Sequence, residues 1–175
     1  IFILAAIFAD LIADFDTLVV AQNTAIRLQP PNAQHWFGTD GYGRDIFARV
    51  VHGARVSLSI AFLTTAVSSL AGGLLGSAAG YYGGKVDNII MRIIDTIMCL
   101  PPMLFSLSIV AALGAGMRNL IIAVSVTMTP YFTRVVRASI LTVVGSDYVE
   151  AARSCGAGDA RIILRHIIPN AIGPV

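Results

Sequence analysis

Charged residues are spread so unevenly along this chain that its helices can be read from the stretches that lack them. Val56 to Gly84 runs for 29 residues without Asp, Glu, Lys or Arg, and roughly 20 apolar residues are enough for an α-helix to cross the hydrocarbon core of a membrane. This stretch predicts a span. A second uncharged run, the 22 residues Thr96 to Met117, predicts another, with its helix opening near Asn88. Pro101-Pro102 falls inside it, and because proline removes a backbone donor and crowds the preceding turn, a kink is expected there. The third run, Asn119 to Thr133, has only 15 uncharged residues. It reaches spanning length if Arg134 and Arg137 snorkel to an interface while the helix continues to Val144, bent at Pro130. Residues 1–15 read as the end of a truncated first span, and a further span is expected to begin after Asn170.

Between the first stump and the first full span, residues 16–55 form a polar connection containing Pro30-Pro31 and several Asn and Gln. Near its end, Thr39 or Asp40 is placed to cap a helix in which Ile46, Phe47, Val50, Val51 and Ala54 share a face, with Asp45 and Arg49 paired four residues apart opposite it. Such a piece suits either the membrane surface before the chain enters at Val56 or the protein's own outer face. Residues 56–175 then form the spanning region.

Within the first full span, Gly72, Gly76, Gly80 and Gly84 recur at four-residue spacing, with Ser68 one step earlier. One helix face is therefore nearly bare backbone, which in lipid is a surface for close helix packing. Gly84-Lys85 does not complete a phosphate loop, since the required earlier glycine falls on Ala79 and Val86 replaces the Ser or Thr. Asp95 sits about one turn into the second span. An acid at that depth is costly unless paired, and Arg92, three residues earlier, is the expected partner; an ion site at Asp95 is the rival reading.

Composition sharpens the solvent question. Hydrophobic residues make up 56% of the chain and charged residues 13%, against roughly 25% charged in soluble domains. A globule of this size cannot hide so much apolar surface behind so few charges, so lipid is the solvent for much of the chain. The net charge is +2, from 12 Lys and Arg against 10 acids with no dense basic run, which argues against nucleic acid as a partner. Cys99 and Cys155 lack ligand spacing, and His35, His52 and His166 are far apart with no nucleophile motif nearby. No metal, cofactor or catalytic centre is indicated.

The remaining polar segment, Ser146 to Asn170, is too hydrophilic to cross a bilayer. Asp147 is placed to cap a helix with Glu150 at the third position. Ala151 and Ala152 follow as small side chains that let another surface come close. Gly156 and Gly158 supply a turn, and Asp159 starts a second helix, carrying Ile162, Ile163, His166 and Ile167 on one stripe, that Pro169 is expected to stop.

At these residues the chain resembles the membrane-spanning permease subunits of bacterial ATP-binding-cassette importers, whose EAA motif has the form E-A-A-x3-G-x9-I-x-L-P. Glu150, Ala151, Ala152, Gly156 and Pro169 match at the right offsets, while His166 and Ile168 stand where the motif has Ile and Leu. The run Phe37 to Leu58, including Gly38, Thr39, Asp40, Gly43, Arg44, Asp45, Arg49, Gly53 and Arg55, resembles the dipeptide, oligopeptide and nickel branch.

The resemblance implies an all-α polytopic helical bundle in the bacterial inner membrane, of about six spans when complete, that is not itself an enzyme. It also implies three partners: cytoplasmic ATPase subunits seated on the EAA loop, a second permease subunit, and an extracytoplasmic solute-binding protein. Glu150 would serve as an acidic contact or a cap, Ala151 and Ala152 would allow a close seat, and Gly156 would make the turn. With that loop inside, residues 16–55 lie outside, and the 12 basic residues divide 7 inside to 5 outside, a weak bias of the expected sign. The rival of a different class is an ion-coupled secondary transporter or channel that uses Asp95.

Overall fold

A computed structural model describes residues 2–171. The span expected after Asn170 lies, beyond Ala171, outside the described residues. Regular structure among the described residues is helical, with one isolated bridge between Thr39 and Asp45. In chain order it comprises α1 (Phe2–Ile7), α2 (Ala9–Ile12), a π-helical turn (Phe15–Val20), a 3-10 turn (Thr24–Ile26), α3 (Ile46–Tyr82), α4 (Gly84–Met98), α5 (Pro102–Leu113) and α6 (Met117–Val143). After these come α7 (Asp147–Ser154), α8 (Asp159–Ile162), a second π-helical turn (Ile163–Ile167) and α9 (Ile168–Ala171). The chain divides into two compact units, Ile1–Phe62 and Leu63–Val175.

In the first unit the polar connection is knotted around Asp40. Its carboxylate accepts the backbone N–H of Tyr42 at 2.8 Å and of Arg44 at 3.0 Å, Arg44 Nε at 2.8 Å and the Arg49 guanidinium at 2.6 Å. Thr39 donates its hydroxyl to the Ile26 carbonyl and accepts the Gln29 N–H. Two glycines permit the crossing. Gly38 and Gly43 both have φ of 74°, and a Cβ there would fall 2.3 Å from the Gln29 oxygen and 1.7 Å from the Asn23 oxygen.

The cap of α3 differs from expectation. Asp45, rather than Thr39 or Asp40, accepts the free Ala48 N–H at 2.8 Å, and its other oxygen lies 2.7 Å from His35 Nδ1. An acid just before the first helical residue satisfies an orphan donor and meets the positive end of the helix, which outweighs an exposed i, i+4 pair worth a few tenths of a kcal/mol. Arg49 consequently turns to Asp40.

The buried face is rotated too. Ala48, Val51 and His52 are inside while Val50 is exposed. Trp36 and Phe37 pack on Phe47 at 5.0 and 5.3 Å between ring centroids, and His52 Nε2 lies 2.8 Å from the Ala13 carbonyl. These contacts orient the first turns of α3. The helix then continues through Val56 without a break, so the expected surface piece and first span are one element. At 37 residues it is about 55 Å long by the helical rise, far more than the hydrocarbon core of about 30 Å requires.

In the second unit the usual sorting of side chains is inverted along the join of α3 and α6. The inner face of α3 and α6 holds Ser68, Ser77, Ser125, Thr133 and Ser139, all buried, while Leu70 and Leu74 point outward at 69% and 74% exposure. Water-soluble proteins do the reverse, so these leucines are suited to face lipid. The small residues let the backbones meet. A Cβ on Gly72 would fall 2.5 Å from Phe132 Cβ, one on Gly76 would fall 2.6 Å from the Thr133 oxygen, and one on Gly80 would fall 2.9 Å from Ile140 Cγ2. Gly84 stands apart from this stripe, because α3 ends at Tyr82, φ at Gly84 is 50°, and no atom lies near its missing Cβ. Ser68 Oγ donates to the carbonyls of Thr64 at 2.6 Å and Ser125 at 3.2 Å.

These contacts climb both helices in the same direction, so α3 and α6 are parallel. The return crossing between them belongs to α4 and α5. Each is short, and they meet at 86° across Pro101-Pro102, a far sharper break than a kink because two successive residues lack N–H groups. Pro130, buried within α6, leaves that helix unbroken.

Two outcomes follow. Gly76→Ala should lower the thermal stability of the detergent-solubilised protein by about 1–3 kcal/mol through overpacking, whereas Gly73→Ala, whose Cβ meets nothing within 4 Å, should be neutral or slightly stabilising. Burial raises the Asp40 pKa, but the Arg44 amide and guanidinium and the Tyr42 amide outweigh it and hold the group at about 2, below its ordinary value of 3.8. A depressed carboxylate pKa stabilises above the unfolded value and loses that contribution as pH falls through the folded one. The near-ultraviolet dichroism of the single Trp, stacked on Phe47, should therefore hold down to a pH of about 4 and weaken between about 4 and 2; Asp40→Asn should weaken it at neutral pH.

Candidate functional site

The segment after α6 folds back onto the helix ends as a seated pair of short helices. Ile140 of α6, Val149 of α7, Ile162 of α8 and Ile167 of the second π turn are completely buried in one cluster, with Tyr81, Val136, Val143, Val144, Ala152 and Ala157 packed around it. Val149 and Ala152 lie three apart on α7 and form its inner face. Asp147, Tyr148, Glu150, Ala151 and Ser154 are exposed and form the outer one.

The start of α7 differs from the expected box. Ser146 takes the cap position but donates its hydroxyl to the Val143 carbonyl at 2.6 Å, and the amides of Val149 and Glu150 go to the Ser146 carbonyl. Asp147 is the first helical residue and caps nothing. The backbone of Ser146 already answers those amides, so Glu150 is left facing solvent, where it still interacts favourably with the positive helix end.

The turn rests on Gly156, with φ of 80°. Its N–H bonds to the Arg153 carbonyl at 3.0 Å, and the Ala157 N–H bonds to the Ala152 carbonyl at 3.1 Å. This is the paired bonding of a Schellman stop, which demands a left-handed residue. Gly158 then precedes α8 in extended conformation and its carbonyl accepts the Ile162 N–H.

Pro169 does not stop the second helix, as the sequence suggested it would. The chain stays helical from Asp159 to Ala171 by widening into the π turn, where the Ile168 N–H reaches back to the Ile163 carbonyl. A wider turn relieves the clash a proline ring makes with the carbonyl four residues earlier. Of the motif residues, then, Glu150, Ala151, Gly156 and Pro169 are exposed, and Ala152 is half-buried against the cluster.

A residue that sequence reasoning missed ties the pair down. The Tyr81 hydroxyl, at the end of α3, donates to Asp159 Oδ1 at 2.7 Å, and the Arg153 guanidinium lies 5.6 Å over the same ring. Hydrogen bonding to Tyr81 raises the Arg153 pKa above its ordinary value. One tyrosine thus contacts both helices of the loop. A tyrosine pair closing an apolar run was the only signal in sequence, and interfacial aromatics are common enough to hide it.

Charges on the spanning helices are paired across helices. Asp95 bonds to Arg134 of α6 at 2.5 Å, not to Arg92, since antiparallel packing of α4 on α6 brings Arg134 to it while an Arg preceding its acid on one helix is the poorer order. Asp87 is gripped two-pronged by Arg137 at 2.5 and 2.6 Å. Among the described residues no group of three His, Cys, Asp or Glu is placed to hold a metal, and Cys99 and Cys155 are free thiols.

Comparison with known proteins bears on this arrangement. Residues 72–175 match the family model described as binding-protein-dependent transport system inner membrane component. The chain is 41% identical, over 99% of its length and 57% of the relative's, to a dipeptide transport system permease protein of Alkalihalophilus pseudofirmus. It is 43% identical to a putative peptide transport system permease protein of Brucella suis, over 89% of this chain and 52% of the other. It is 41% identical to a glutathione transport system permease protein of Escherichia coli O6:K15:H31, over 99% and 57% respectively. The chain spans about half the length of these curated relatives. Parallel small-residue spanning helices, a proline-broken return and a glycine-hinged helical pair on their ends thus coincide with the matched region, and the chain belongs to the family of binding-protein-dependent transport system inner membrane components.

Proposed function

We propose that this chain forms part of the permease subunit of an ATP-binding-cassette importer of the bacterial inner membrane, carrying small peptides. The helical pair α7–α8 is its coupling element. A separate cytoplasmic ATPase seats on the outer face of α7, where Glu150 offers an acidic contact and Ala151 leaves room for close approach, while Gly156 holds the second helix clear. Ala152 acts from behind, against the buried cluster, and Pro169 sits just past the widened turn that accommodates it. Closure of the ATPase pair then pushes on the cluster joining α7 and α8 to the ends of α3 and α6, shifting the spans between two packings. A second permease subunit completes the pathway, and an extracytoplasmic solute-binding protein delivers the cargo. Residues 16–55, on this reading, face the exterior.

The observation that carries this reading is the division of α7 into a face bonded to the spanning helices and a face with polar and small residues open to solvent. Transport driven by an ion at Asp95 is less well supported, because that carboxylate is already held by Arg134. The relatives' names, which refer to dipeptide, peptide and glutathione, favour peptides over chelated nickel as cargo.

In membrane vesicles holding the complete importer, Glu150→Lys should reduce ATP-driven uptake of a labelled dipeptide by about tenfold or more, the scale of losing a central interface residue. Gly156→Leu should do the same by straining the turn. Both proteins should insert normally, and the Ala151→Cys variant should crosslink to the ATPase. Unchanged uptake in both variants, with no crosslink, would remove the coupling role from this loop.

A further inference from the structure

The broken pair α4–α5 must move with the rest of the bundle if the pathway is to open and close, so its attachment decides whether force reaches it. Among the described residues, the side-chain hydrogen bonds and ion pairs that leave α4 all go to α6: Asp87 to Arg137 and Asp95 to Arg134. The two pairs differ in kind. Asp95 and Arg134 are about half exposed, at 52% and 46%, and touch through a single bond, whereas Asp87 and Arg137 are at 18% and 28% and form a two-pronged pair. Fixed planar geometry with less water around it makes the second pair the rigid one.

Arg137 also occupies a junction. Its backbone runs beneath the glycine stripe of α3, since a Cβ on Gly76 would fall 3.0 Å from the Arg137 nitrogen and one on Gly80 would fall 3.3 Å from its oxygen. Its neighbours Val136 and Ile140 belong to the cluster that seats α7 and α8. One residue therefore touches α3 with its backbone and α4 with its side chain, at the level of α6 where the helical pair is anchored.

We propose that the Asp87–Arg137 pair is the link through which movement of the helical pair reaches the broken span, making both positioning residues for transport. The inference rests on the permease reading above. When α6 shifts under load from α7 and α8, the two-pronged grip carries the start of α4 with it, and the 86° break at Pro101-Pro102 turns that displacement into a reorientation of α5. Without the grip, α6 moves and α4 slips.

The test uses the complete importer in proteoliposomes, with dipeptide uptake and ATP hydrolysis measured together. Asp87→Asn and Arg137→Gln should each lower peptide carried per ATP hydrolysed by about tenfold, within the range of coupling energies for contacting residues, while ATP hydrolysis continues. The exchanged protein, Asp87→Arg with Arg137→Asp, should recover most of the ratio. Arg137→Lys, which keeps the charge but loses the second prong, should fall between wild type and Arg137→Gln. Asp95→Asn should leave the ratio unchanged. An unaltered ratio in Arg137→Lys and in either neutral variant overturns the inference, as does an exchanged protein that reaches the membrane yet stays uncoupled, or an Asp95→Asn variant that uncouples equally. Failure of the wild-type complex to couple uptake to ATP would instead overturn the permease reading itself.

Discussion

Two helices in lipid gain nothing from hiding leucine, because the surrounding chains are as apolar as the side chain. What holds α3 to α6 is close approach of backbone to backbone, and the rest of the second unit depends on it. Gly72, Gly76 and Gly80 leave α6 room to lie directly on α3, and Ser68 adds a hydrogen bond across the join. Because the two helices are parallel, their ends lie together. Tyr81 and Ile140 consequently come within reach of the same short helices, and a platform exists on which α7 and α8 can sit.

That platform converts a polar loop into a mechanical part. Four fully buried aliphatic side chains join α7, α8 and the π turn to α6, so the pair cannot move independently of the spanning helices. Its outer face stays free of such contacts. The same division of labour recurs at α4, where apolar packing on α6 is supplemented by ion pairs whose partners sit across the helix boundary. Charges inside a bundle are expensive unless answered, and here each acid on α4 that faces α6 finds an arginine.

The glycine-rich polar connection obeys a different logic. With water as its solvent it builds no sizeable core, and it holds shape through Asp40, which satisfies two backbone amides and two guanidinium groups at once. Gly38 and Gly43 are where the chain crosses itself too closely for a side chain. Stiffness there comes from hydrogen bonding and stacked rings.

Sequence alone determined what depends on composition and spacing. An all-helical membrane chain followed from the uncharged runs, a small-residue face at Gly72, Gly76 and Gly80, though not at Gly84, from its four-residue period, the break at Pro101-Pro102 from the missing donors, and the family from the motifs at Glu150 to Pro169 and Phe37 to Leu58. Tertiary structure decided whatever depended on which partner arrives from a distance. Asp45 could pair with Arg49 or cap α3, Asp95 could pair with Arg92 or Arg134, and Ser146 and Asp147 were both plausible starts for α7. Each choice differs by about 1 kcal/mol locally, too little for a linear pattern to settle. For Asp95, packing of α6 against α4 settled it by bringing Arg134 to the acid; for Asp45, His35 and the open Ala48 amide did so; and Tyr81 was set under a loop that lies 78 residues away in the chain.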